Sequence, residues 1–134
     1  MMERRIGIAT PSGVMETFVV HPSEGGPHPA VILYMDVWGI REELLDIARR
    51  IAMVGYYCVV PDFYYRQGRV RNEFRNEKNQ MISMDRLDEQ KRQLALAPLA
   101  KLTDAMVVED TDCVLGCIDR GEPGAVPRRP AALR

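Results

Sequence analysis

Few residues of this chain are of a type and spacing that can do chemistry. The loop Asp36-Val37-Trp38-Gly39 follows a continuous apolar run, 30–35. A loop in that place sits at the carboxyl end of a buried strand, where open α/β sheets put their chemistry. Asp36 suits a site carboxylate and equally a capping carboxylate. Trp38 suits a packing anchor better than a substrate platform. Cys113 and Cys117 stand at i and i+4, one helix face, a spacing that can hold a metal, but no histidine lies near them. Cys58, within Tyr-Cys-Val-Val, reads as a core residue. His21 and His28 bound a stretch rich in Pro and Gly and read as loop residues, not ligands. No metal and no organic cofactor is expected. Neither G-x-G-x-x-G nor G-x-x-x-x-G-K-[ST] is present, which disfavours a nucleotide-binding domain.

The elements that must position the loop are legible. The run 30–35 lacks polar alternation and suits a strand covered on both faces. Leu44, Ile47, Ala48, Ile51 and Ala52 form one helical stripe, so a helix is expected over about 42–54. Glu42 and Glu43 open it and Arg49 and Arg50 close it, matched to the helix dipole. Gly55 supplies a left-handed stop. Residues 57–60 form the next buried strand, ended by Pro61-Asp62. Strand, helix, strand is a βαβ crossover, which commits the fold to an α/β class with a mainly parallel sheet. Before it, 5–9 and 15–20 read as an antiparallel hairpin at the sheet edge, turned at Pro11-Ser12-Gly13.

Beyond the crossover the pattern weakens. Residues 66–92 are polar and read as a long loop with a helical portion near 84–96. The charged cluster 69–78 reads as a solvated face. Thr103 is a plausible N-cap for a helix over Asp104–Asp119. The last fourteen residues hold three Pro, three Arg, three Ala and two Gly. They read as a disordered tail, 121–134, behind a domain spanning 1–120.

Composition narrows the partners. Apolar content is 46%, charged content 28% and net charge −1. These are values of an ordinary soluble domain and give no reason to expect nucleic acid or an anionic membrane as partner. No apolar run approaches the ~20 residues that span a bilayer. The N-terminus lacks the apolar stretch of a signal peptide. An odd cysteine count without framework spacing points to a reducing cytoplasm.

Taken together, Pro29 to Leu33 leading into Asp36-Val37-Trp38-Gly39, the helix Leu-Leu-Asp-Ile-Ala-Arg-Arg-Ile-Ala, and Gly55-Tyr56-Tyr57 through Pro61-Asp62-Phe63-Tyr64-Tyr65-Arg66 resemble the dienelactone hydrolase family. This is a carboxymethylenebutenolidase-like group of α/β-hydrolases, and the likeness covers the N-terminal half of its fold, about residues 4–120. The resemblance implies a hydrolase of carboxylic esters or lactones that needs no cofactor. It implies that the backbone N–H of Val37 helps form the oxyanion hole. It places Asp36 where relatives carry Glu or Asp, a position that can contact the nucleophile. It matches Arg66 to an arginine of the post-strand loop and leaves Trp38 and Arg66 as weak substrate-binding candidates.

The resemblance also implies a Cys or Ser nucleophile in a G-x-[CS]-x-G elbow, followed by an acid and a histidine. No such motif occurs here. Cys117 has Leu115 and Asp119 where the glycines belong, and Cys113 has Thr111 and Leu115. The chain is therefore expected to be inactive, a fold cut before its elbow. The alternative is a truncated or frameshifted product that aggregates or pairs through an exposed edge of strand 30–35. That strand is expected to be central in a complete fold and to lose its outer neighbour here.

Overall fold

The computed structural model describes residues 1–68, 70 and 74–128. A hairpin opens the chain. Strand β1, Met2–Thr10, pairs antiparallel with β2, Gly13–His21, from Met2 opposite His21 to Thr10 opposite Gly13. Strand β3, Ala30–Ile32, helix α1, Glu42–Met53, and strand β4, Tyr57–Pro61, make the crossover, with β3 and β4 parallel. The order across the sheet is β1-β2-β4-β3, and β2 pairs antiparallel with β4. Helices α2, Glu89–Ala100, and α3, Asp104–Asp119, complete the described chain.

Period-2 alternation along β2 and β4 builds a core on each face of the sheet. Met15, Val19, Tyr57 and Val59 face α3 and pack with Val114 and Ile118. Phe18, Val20, Cys58 and Val60 face α1 and pack with Leu44, Leu45, Ala48 and Ala52. All five residues of β4 are buried, as a strand with neighbours on both edges and helices on both faces must be. Cys58 is a core residue, as its sequence context implies.

The fold matches the α/β expectation, but the described sheet is mixed and not mainly parallel: the hairpin and its pairing with β4 are antiparallel, and β3 with β4 is the parallel pair. In α1 the apolar face turns toward Leu45, leaving Ile47 44% exposed. Gly55, at φ 104°, closes the helix as expected. β3 lies at the sheet edge, as expected of a strand without its outer neighbour, and β4 lies between β2 and β3. Only residues 30–32 of the expected 30–35 join the ladder, because a strand with one neighbour is held from one side only. His21 is not a loop residue: it ends β2, is buried, and stacks on Tyr57 with ring centroids 5.3 Å apart.

The helical portion expected near 84–96 is two elements. A 3₁₀ turn, Met84–Arg86, precedes α2, whose N-cap Asp88 accepts from the Lys91 N–H at 2.8 Å. Pro98 lies inside α2, which runs four residues further than expected. Thr103 caps α3 as read from sequence, accepting from the Met106 N–H at 3.2 Å. Of the cluster 69–78, residues 69 and 71–73 lie outside the described residues.

The expected disordered tail is the largest departure, since 121–128 are placed against the fold. The His28 N–H donates to Gly124 O at 2.8 Å, and the Val126 N–H donates to His28 O at 2.9 Å. Ala125 is buried beside α3. Arg128 grips Asp119 through its backbone N–H, Nε and Nη2 at 3.0, 3.1 and 2.6 Å. The segment forms an isolated bridge and not a strand, and Pro123 and Pro127 flank its two hydrogen bonds without interrupting them. Residues 129–134 lie outside the described residues.

Candidate functional site

The candidate site forms where the two parallel strands end. An aspartate follows each, Asp36 after β3 and Asp62 after β4, and both aspartates make the same turn. Asp36 Oδ1 accepts from the Trp38 N–H at 3.1 Å, and its carbonyl accepts from the Gly39 N–H at 3.0 Å. Asp62 Oδ1 accepts from the Tyr64 N–H at 3.0 Å, and its carbonyl accepts from the Tyr65 N–H at 3.3 Å. A short carboxylate two residues before a free N–H stabilises such a turn locally. Gly39, at φ 79°, is required: a Cβ there would meet the Tyr64 ring at 3.2 Å.

The Asp36 turn is held from three sides. Arg41 Nη2 donates to Asp36 Oδ2 at 2.5 Å. The Tyr64 hydroxyl donates to Val37 O at 2.8 Å. Trp38 anchors the turn from beneath, buried with Leu87 and Ala95. What remains is the Val37 N–H. Among the described residues it donates to nothing, while its own carbonyl and the next amide are both fixed. The turn therefore presents one rigid, unspent donor at the carboxyl end of β3.

A pocket of about 240 Å³ opens beside that donor, walled by Tyr34, Met35, Asp36, Val37, Phe63 and Tyr64 and closed by Leu99, Leu102 and Val107. Tyr34 stacks on Phe63 at 5.3 Å. Burial, with the carboxylates of Asp36 and Asp62 nearby, pushes the Tyr64 phenol above its ordinary value, so it stays a donor. The pocket is mostly apolar with one carboxylate at its rim, suited to a small, largely apolar molecule carrying a carbonyl oxygen.

The structure brings Asp36 and Val37 to this pocket and keeps Trp38 and Arg66 out of its lining. Arg66 makes a bidentate pair with the fully buried Asp110, at 2.8 and 2.9 Å, and reaches Glu109 at 3.3 Å. The Tyr65 hydroxyl donates to the same carboxylate at 2.9 Å. Arg66 thus fastens the β4 loop to α3. Cys113 and Cys117 pack at the edge of the core, and burial pushes both thiols above their ordinary value, with Asp110 and Glu122 respectively adding to it. Neither is the thiolate a nucleophile requires. No cluster of three or more potential metal ligands occurs among the described residues.

Sequence pattern assigns no role to Arg41 or Tyr64. The one signal is an offset: Trp38 follows Asp36 by two residues, and Tyr64 follows Asp62 by two. Repetition of that offset after both strands marks paired turns.

A hairpin followed by a βαβ unit, with an open turn after the first parallel strand, fits the N-terminal part of an α/β-hydrolase scaffold. The sequence profile of the dienelactone hydrolase family matches residues 15–116, and the chain belongs to that family. A Methylorubrum extorquens protein named "Putative carboxymethylenebutenolidase" is 27% identical over 110 residues, which is 82% of this chain and 33% of that protein. One of the same name from Saccharolobus solfataricus is 32% identical over 68% of this chain and 34% of its own length. The crystal structure titled "Putative Dienelactone Hydrolase" from Klebsiella pneumoniae superposes with a TM-score of 0.72 and 26% identity, over 96% of this chain and 47% of that one. The chain thus spans about a third of the curated relatives it matches and about half of that solved relative. No helix among the described residues is long and apolar enough to cross a membrane.

Proposed function

We propose that this chain is the oxyanion-hole half of a hydrolase acting on carboxylic esters or lactones, with the Val37 N–H as the donor. The observation that carries the reading is that amide. It is unspent among the described residues and rigidly held, and its residue lines an apolar pocket at the carboxyl end of β3. A fixed amide aimed at a developing oxyanion lowers the barrier without reorganising, and loss of one such donor costs about 10²–10³ in rate. Asp36 serves this donor by shaping the turn. It stands at the pocket rim, where it also fits contact with a nucleophile. Trp38 backs the turn, and Arg66 sets the distance between the β4 loop and α3. Three free cysteines support a reducing, cytoplasmic setting.

Hydrolysis needs a nucleophile, an acid and a histidine, and the sequence holds no elbow to carry the first. The 134-residue chain alone should therefore not turn over p-nitrophenyl acetate above background. The informative test joins residues 1–126 to the remaining half of the Klebsiella relative. Saturable hydrolysis is expected, falling about 10²–10³-fold in Val37→Pro, which removes the donor. A chimera whose hydrolysis is indifferent to Val37→Pro would overturn the assignment.

The missing elbow also favours a second reading, in which this chain acts without catalysis and pairs through its sheet edge. Hydrolysis of p-nitrophenyl acetate by the 134-residue chain itself, abolished by substituting Cys113 or Cys117, would exclude it.

A further inference from the structure

Arg41 breaks two local rules at once. It is the N-cap of α1, in extended backbone, yet its side chain makes no cap. Ser, Thr, Asp or Asn is the usual residue there. A cation is also misplaced at the positive end of a helix dipole. Its Nε is buried and has no hydrogen-bond partner among the described residues. Local rules broken together mark a residue kept for a purpose outside its own element.

What Arg41 gains is Asp36. Its Nη2 donates to Asp36 Oδ2 at 2.5 Å, and its side chain is only 15% exposed. Asp36 Oδ1 is already engaged by the Trp38 N–H. The turn uses one carboxylate oxygen, and Arg41 answers the other.

That carboxylate is an awkward neighbour for the donor. The Val37 N–H belongs to the amide formed by Asp36's own carbonyl. Any oxyanion it accepts therefore lies close to the Asp36 charge, and like charges at short range repel. Tyr64 feels the same field. Its hydroxyl bonds Val37 O, and the carboxylates of Asp36 and Asp62 add to the burial that raises its phenol. An aspartate that shapes the turn works against the donor the turn presents, unless its charge is cancelled.

We propose that Arg41 is a positioning residue of the Val37 donor, acting through Asp36: it turns the carboxylate beside the oxyanion into a neutral ion pair. This rests on the reading of Val37 as the oxyanion donor. Arg41 makes no bond to Val37 itself, so the donor stays open.

The test needs no turnover. Hydroxide-catalysed exchange of an amide passes through an amide anion, so its rate reads the field that an oxyanion would meet. Exchange at Val37 is measured by NMR on the full chain at one neutral pH, in the native sequence, Arg41→Gln, Arg41→Lys, Asp36→Asn and the double variant Arg41→Gln with Asp36→Asn. Arg41→Gln should slow Val37 about threefold or more by leaving the carboxylate uncompensated. Asp36→Asn keeps an oxygen for the Trp38 N–H and should speed Val37. The double variant should return to the native rate, and Arg41→Lys should hold it. Added salt should shrink each difference. If Arg41 only braces the turn, Arg41→Gln leaves Val37 unchanged or faster and the double variant does not restore the native rate; either result would overturn the proposal. Asp36→Asn carries the same sign test should Arg41→Gln fail to fold, and an unchanged or slower Val37 there would overturn it as well. Val37→Pro in the chimera judges the donor and this series judges Arg41, so the two fail separately.

Discussion

The loops after β3 and β4 are the same turn with opposite fates. Each begins with an aspartate whose side chain takes the N–H two residues on. After β4, Asp62 is buried and the following residues are absorbed by the fold: Tyr65 and Arg66 end on the buried carboxylate of Asp110. After β3, the Asp36 side chain is 48% exposed, and the following amide is left unspent among the described residues. The strands differ in the same sense, β4 central and wholly buried, β3 at the edge with half its backbone groups facing outward. Turn chemistry alone does not make a site. What separates the two turns is whether neighbouring elements consume the groups they present.

The largest expected effect lies on the consumed side. Asp110→Ala leaves Arg66 without its bidentate partner and the Tyr65 hydroxyl without its acceptor. Urea unfolding should show a loss of roughly 3 kcal/mol. A loss as small as an exposed ion pair's would mean that the β4 loop is no more embedded than the β3 loop.

Central burial of β4 also predicts how stability responds to alkali. Burial pushes Tyr57 from its ordinary 10 up to about 12, against a lowering contribution from Arg4, and pushes Cys58 from 9 up to about 11. Both groups are held neutral in the folded chain. Their contribution is complete below the unfolded values and is lost as pH rises through the folded ones. Stability should decline from near pH 9 to near pH 12, by up to about 3 kcal/mol for each group. Tyr57→Phe should remove the upper part of that decline, and Cys58→Ala the lower. A flat profile to pH 11 would contradict the burial of β4.

The two aspartates compare the turns directly. Asp62→Ala strands a buried N–H and should cost about 1–2 kcal/mol in the same assay. Asp36→Ala loses a half-exposed turn bond and a surface ion pair, and should cost less than about 1 kcal/mol. Equal losses would erase the distinction between a structural and a presented turn.

Much of this was legible before the structure. Apolar runs, the α1 stripe and Gly55 locate the crossover because burial on two faces leaves no polar alternation to confuse. The Asp36-Val37 position is legible through its place at a strand end and through resemblance. Three things are not. That β4, not β3, lies between β2 and its parallel neighbour depends on which strand pairs with β2, a long-range choice that local pattern does not encode. Asp88 as an N-cap is masked by the polar run around it, and Pro98 hides the rest of α2. Ordering of 121–128 rests on the Arg128–Asp119 grip, a contact between a proline-rich segment and a helix end that composition argues against. Arg66 shows the limit of transfer by position, since its place in a motif says nothing of the buried Asp110 that claims it.

The central claim is that one of two like turns leaves its donor unspent. Amide hydrogen exchange by NMR on the dilute chain tests it directly. The amides of Trp38 and Tyr64 should be protected by their aspartates, while the Val37 amide exchanges near its intrinsic rate. Protection of Val37 equal to that of Trp38 would show the donor consumed within the fold, and would contradict the account.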